Sequence, residues 1–135
     1  SVVVVVKDKK PQEEEKNLNG VVSVDTPEPY EKSFDVVEQM PEYPGGMQEL
    51  MKFLSMNVRY PEAAHKAGVQ GRVIVKFIVE PDGSLSNVKV VKKVSDDLDG
   101  EAIRVVSTMA KWKPGMQNGT AVRVNYTIPI TFRLN

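Results

Sequence analysis

The chain has 135 residues, room for one domain and a tail, and it has no cysteine, which excludes disulfides, thiolate metal sites and cysteine nucleophiles. His65 is the single histidine, so a multi-histidine metal site is excluded as well. The net charge of zero hides an asymmetry: residues 1–43 carry five lysines against ten Asp and Glu, whereas residues 44–135 carry thirteen Lys and Arg against eight Asp and Glu.

In chain order, Val2–Val6 is a run of five β-branched residues that favours a strand, but a strand needs a neighbour, and a sheet edge in the same chain would supply one. The run is far shorter than the ~20 apolar residues of a membrane span. Residues 7–33 are rich in Glu, Lys and Pro and cannot bury enough surface to offset chain entropy. Residues 1–33 therefore read as a flexible linker and 34–135 as the domain, with FDVVEQM (34–40) as a short opening strand.

Met47, Leu50, Met51 and Leu54 follow the i, i+3, i+4, i+7 spacing of a helix. The methionines at 47, 51 and 56 read chiefly as packing, with an adaptable binding face as the alternative. A second, short helix opens at Pro61 and stops at Gly68. GRVIVKFIVE (71–80) puts Val73, Val75, Phe77 and Val79 on one face, PDGS (81–84) makes a turn, and Leu85 to Val94 forms the returning strand. Ser95, Asp96 and Asp97 cap a third helix whose buried stripe is Leu98, Ala102, Val105, Val106 and Met109. Trp112 follows as a lid on the core with its indole N–H bonded to a loop carbonyl. After Asn118-Gly119 the chain enters its most regular stretch. From Val122 to Leu134 apolar residues alternate with Arg123, Asn125, Thr127, Pro129, Thr131 and Arg133. The order of elements predicts an α+β fold in two layers, a three-stranded antiparallel sheet with helices packed on one face.

The sequence contains no Walker loop, GxGxxG, HExxH or GxSxG. Asp96, Asp97 and Asp99 are explained by helix capping, and Lys89, Lys92 and Lys93 lack the interleaved aromatics of a nucleic-acid reader. No catalytic residue, metal site or cofactor is assigned, and the chain reads as a non-enzyme that does not bind nucleic acid. What remains is Pro129. A proline inside a sheet belongs on an edge, with its missing donor turned outward. The last strand would then offer the backbone groups of Arg123, Asn125, Thr127, Thr131 and Arg133 to an extended peptide, by β-augmentation, or to a second copy of the chain in a homodimer.

The segments VRYPEAAHKAGVQGRVIVKFIVEPDGSLSNVKVVKKV, AKWKPG and VRVNYTIPITFRLN resemble the C-terminal domain of TonB-family proteins, and VVEQMPEYPGGMQELMKFLSMN resembles the Bacteroidetes-type version. The resemblance implies the same three-stranded fold. It implies a periplasmic energy transducer, anchored in the inner membrane by sequence absent from this chain and driven by the ExbB–ExbD proton motor. Such a transducer grips the TonB box of outer-membrane receptors that import siderophores, haem, vitamins or glycans. The box would add as a strand beside the last strand of this chain. The family's Gln-Tyr-Pro contact maps to Arg59, Tyr60 and Pro61, with Arg59 in place of the Gln. A second implication of the resemblance is a periplasmic sensor or docking domain of an antirepressor-type membrane metallopeptidase.

Overall fold

The computed structural model describes residues 2–4 and 32–134. The elements are β1 (Val2–Val4), α1 (Met47–Asn57), α2 (Glu62–Ala67), β2 (Gly71–Val79), β3 (Leu85–Lys92), α3 (Asp96–Ser107), β4 (Gly115–Gln117), β5 (Thr120–Val122) and β6 (Val124–Phe132). The expected linker lies almost wholly outside the described residues. Its exceptions are Lys32, Ser33 and β1, which pairs with the end of β6.

The heart of the fold is the antiparallel sheet β6-β2-β3, extended by β1 to the order β1-β6-β2-β3. One face follows directly from the alternation in the sequence. Val73, Val75, Phe77 and Val79 of β2 and Tyr126, Ile128, Ile130 and Phe132 of β6 form one buried cluster with Leu50 and Leu54 of α1 and with Leu98, Ala102, Val105 and Val106 of α3. Burying such side chains is worth ~1.5–3 kcal/mol each before chain entropy is counted. The periodic stripes thus become the interface between the two layers. The α1 stripe departs from expectation at its start, where Met47 is exposed; Met51 packs on the core and Met56 faces solvent.

Local signals place the helix ends. Pro61 stands at the N-cap of α2, and Gly68 closes it in the left-handed conformation (φ 72°). Ser95 caps α3 by accepting a hydrogen bond from the Leu98 N–H, and Asp99 accepts from the Val94 N–H (2.9 Å). The Asp99 carboxylate therefore ties the residue before the cap back to the first turn of α3. The β2–β3 hairpin turns at Gly83 (φ 89°), and its Asp82 side chain accepts from both the N–H and the hydroxyl of Ser84.

Three further expectations fail. FDVVEQM is not a strand. It runs alongside the sheets through isolated bridges, with Phe34 at Val124 and Gln39 at Met116, and just beyond it Glu42 bridges to Lys113. The last strand does not run unbroken from Val122 to Leu134: Val122 belongs to β5, paired with Gly115 of β4, and β6 starts at Val124. Asn118 (φ 53°) and Gly119 (φ 75°) make the tight β4–β5 turn that draws Val122 away. Finally, the Trp112 indole N–H finds no acceptor among the described residues. The ring is buried among Tyr43, Phe77 and Tyr126, with centroids 4.9–5.7 Å away. It is the backbone N–H of Trp112 that bonds, to the Gly83 carbonyl (2.8 Å).

That last bond makes Gly83 a sensitive point. A Cβ placed there would lie 2.1 Å from the Trp112 carbonyl oxygen, at a φ that side chains disfavour. Gly83→Ala should therefore lower the free energy of unfolding by about 2–4 kcal/mol, the combined scale of backbone strain and overpacking. The check is a lower urea midpoint at unchanged m-value.

Candidate functional site, the outer edge of β6

The sheet has two flanks, and they differ. On β3 the pairing with β2 shifts register twice, between Ile74 and Val75 and between Lys76 and Ile78. At the second shift Asn87 takes a left-handed conformation (φ 50°), as in a bulge, and the strand carries exposed Lys89 and Lys92. Bulges and lysines are the usual protection of an edge. β6 is the opposite case. It pairs with β2 over nine consecutive residues without a shift, from Gly71↔Phe132 to Val79↔Val124.

The direction of its backbone groups follows from one bridge. The Phe34 N–H donates to the Arg123 carbonyl, and the Asn125 N–H donates to the Phe34 carbonyl, both at 2.8 Å. Odd-numbered residues of β6 therefore aim their backbone away from β2, and by alternation so do Thr127, Pro129, Thr131 and Arg133. Even-numbered residues bond inward, and Leu134 continues this by donating its N–H to the Gln70 side chain (2.7 Å). The missing donor of Pro129 thus faces outward, and the ladder to β2 loses nothing. The Pro129 ring is buried on the sheet face away from the helices, opposite Ile74 in register.

The edge is partly occupied. Phe34 takes the outward groups of Arg123 and Asn125 at one end. At the other, Val3 lies opposite Thr131. Between them, among the described residues, the outward backbone groups of Thr127 and Pro129 have no partner. Phe34 is the residue that sequence reasoning missed; a single bridge leaves no periodic signal.

The side chains predicted for the site are not equally available. Arg123 forks onto Glu80, with Nε to Oε1 at 2.9 Å and Nη2 to Oε2 at 3.1 Å. Burial pushes the Glu80 carboxyl up, but the Arg123 fork and the Ser86 hydroxyl outweigh it and hold the pKa below the usual range. The Asn125 amide donates to Asp35 (2.8 Å). The Arg59-Tyr60-Pro61 segment lies at the Phe132 end of the sheet, on the helix side. The Arg59 N–H donates to Glu101 (2.7 Å), which also grips Arg104. The Tyr60 hydroxyl donates to the Val69 carbonyl, and its ring stands edge-on to Phe132 at 5.5 Å. Tyr60 and Pro61 hold the strand end and open α2, while the Arg59 side chain is exposed. Among the described residues no group of three or more His, Cys, Asp or Glu gathers to hold a metal, and no helix is long and apolar enough to cross a membrane.

Residues 56–134 match the family model described as the Gram-negative bacterial TonB protein C-terminal. The chain belongs to this family. The TonB protein of Helicobacter pylori is 32% identical over 89 residues, 65% of this chain and 30% of that protein. The TonB protein of Xanthomonas campestris pv. campestris is 38% identical over 80 residues, 57% of this chain and 34% of that protein. The chain thus spans about a third of the length of these relatives. The solution structure of the Helicobacter pylori TonB C-terminal domain superposes with a TM-score of 0.51 at 32% identity, covering 68% of this chain and 87% of that one. The α+β architecture is therefore that of a TonB C-terminal domain.

Two outcomes test this geometry. Pro129→Val restores an outward N–H and should tighten self-association by up to about tenfold, the worth of one hydrogen bond, as read by sedimentation at high concentration. The depressed Glu80 pKa means that the Glu80–Arg123 pair stabilises the fold above the unfolded carboxyl pKa near ~4.3, and that this is lost as pH falls through the lower folded value. Glu80→Gln should cost about 1 kcal/mol at pH 7, and its stability curve should converge with that of the wild type at acid pH in denaturant titrations.

Proposed function

We propose that this domain is the receptor-engaging end of a TonB-type energy transducer. It works in the periplasm, tethered to the inner membrane through sequence outside this chain and coupled there to the ExbB–ExbD proton motor. Its ligand is the extended TonB box of an outer-membrane receptor for siderophores, haem, vitamins or glycans, which adds as a strand beside β6. The domain acts by binding and transmitting force, with no catalytic step and no cofactor.

The observation that carries this reading is the contrast between the two flanks. β3 is bulged and lysine-rich, whereas β6 keeps an unshifted register and turns one regular row of backbone groups outward. Family membership supports it, because the chain belongs to the TonB C-terminal family. Within the row, the Thr127 and Pro129 carbonyls and the Thr127 N–H are the points of first engagement, and Thr131 follows. Arg123 and Asn125 take part only if Phe34 is displaced.

Titration of the isotope-labelled chain with receptor TonB-box peptides should shift the amides of Thr127 to Arg133, with a dissociation constant roughly micromolar or weaker, since a short edge contact buries little area and carries an ordering cost. Absence of shifts along β6 with every cognate peptide would sink the reading.

A further inference from the structure

We propose that Val2–Val4 is an intramolecular plug for the β6 edge, a built-in strand that an incoming receptor strand must displace. This inference rests on the assignment of β6 as the receptor-binding edge.

The register supplies the first argument. β1 lies antiparallel to β6 with Val2 opposite Phe132, Val3 opposite Thr131 and Val4 opposite Ile130. Thr131 directs its backbone outward, so Val3 and Thr131 are the hydrogen-bonded pair of this ladder. β1 therefore occupies backbone groups that a receptor strand would use. Pro129 supplies the second argument. The next hydrogen-bonding position beyond Thr131 is Pro129, which has no N–H to offer a strand laid along this edge. A donor missing at this point weakens the hold of any plug that reaches past Thr131.

Tether length is the third argument. Residues 5–33 join Val4, opposite Ile130, to Phe34, opposite Val124. These points on β6 are six residues apart, about 20 Å, and 29 residues can span up to ~100 Å. The chain can therefore hold both ends of the edge at once. A three-residue strand is weak on its own, and the tether gives it an effective concentration on the millimolar scale. Such a plug stays in place in the absence of a competitor and yields to one, and it lowers the apparent affinity of any competing strand by the fraction of time the edge is closed.

The test uses the full chain and its Val3→Pro and Val3→Thr variants. Proline removes the donor that faces Thr131, while threonine keeps the donor and the strand preference. In V3P, amide exchange at Thr131 should accelerate about tenfold or more relative to wild type and V3T. Ile130 and Phe132, which bond toward β2, should keep their protection, which also shows that the sheet is intact. A synthetic peptide SVVVVVKDKK, the sequence of residues 1–10, should bind V3P at the Thr127 and Thr131 amides about tenfold more tightly than it binds wild type. Equal Thr131 exchange in all three chains, or equal peptide affinity, overturns the plug. Thr131 protection that grows with protein concentration assigns the strand to a second copy and overturns the intramolecular reading. No receptor peptide enters this experiment, so its failure leaves the receptor assignment standing. A receptor peptide that fails to bind even V3P counts against that assignment instead.

Discussion

The nine-residue ladder between β2 and β6 is the constraint on which the rest of the molecule depends. Because its register never shifts, every even-numbered side chain of β6 meets the core. With the outward direction of the odd-numbered backbone fixed as well, one pairing decides both stability and availability. Phe77 and Tyr126, direct partners in this ladder, stack at 5.8 Å beneath Trp112 and tie the centre of the sheet to the loop after α3. A slip of one residue would reverse the faces and turn Arg123, Thr127 and Arg133 toward the helices.

Much of this was legible in the sequence because it is periodic. The alternation through Val124, Tyr126, Ile128, Ile130 and Phe132 names the buried face without reference to any partner. Leu98, Ala102, Val105 and Val106 do the same for α3, and Ser95, Pro61 and Gly68 mark helix ends by local chemistry. The outward turn of the Pro129 nitrogen was readable too, since a proline within a ladder leaves only that solution. What was not legible depends on contacts distant in sequence. Val122 fits the alternation of β6 equally well, and only its pairing with Gly115 removes it. The bridge from Phe34 to Val124 spans ninety residues of chain and has no pattern of its own. The Trp112 indole departs from the rule that buried donors find an acceptor, and its neighbours, the rings of Tyr43, Phe77 and Tyr126, come from three distant stretches of chain.

Charge adds a second layer of order to the same edge. Glu80, at the end of β2, holds Arg123, and Asp35 holds Asn125. Both contacts sit where the chain enters β6, next to the Phe34 bridge. This end of the edge is fixed by side chains as well as backbone. At the opposite end Tyr60 braces Phe132 from within the core, and Val3 lies along the outward backbone at Thr131. The edge is thus held by side chains and backbone at its start and by backbone pairing alone at its finish.

Pro129 also has a consequence in time. A strand laid along this edge meets a ladder divided in two, with bonds at Thr131 on one side and Thr127 on the other, and no donor between them. Neither run is long enough to hold by itself. Separation can begin at either run, and each opens without waiting for the other, so lifetimes stay short even where the combined contact is favourable. For any strand that pairs here, one absent hydrogen sets how quickly it leaves.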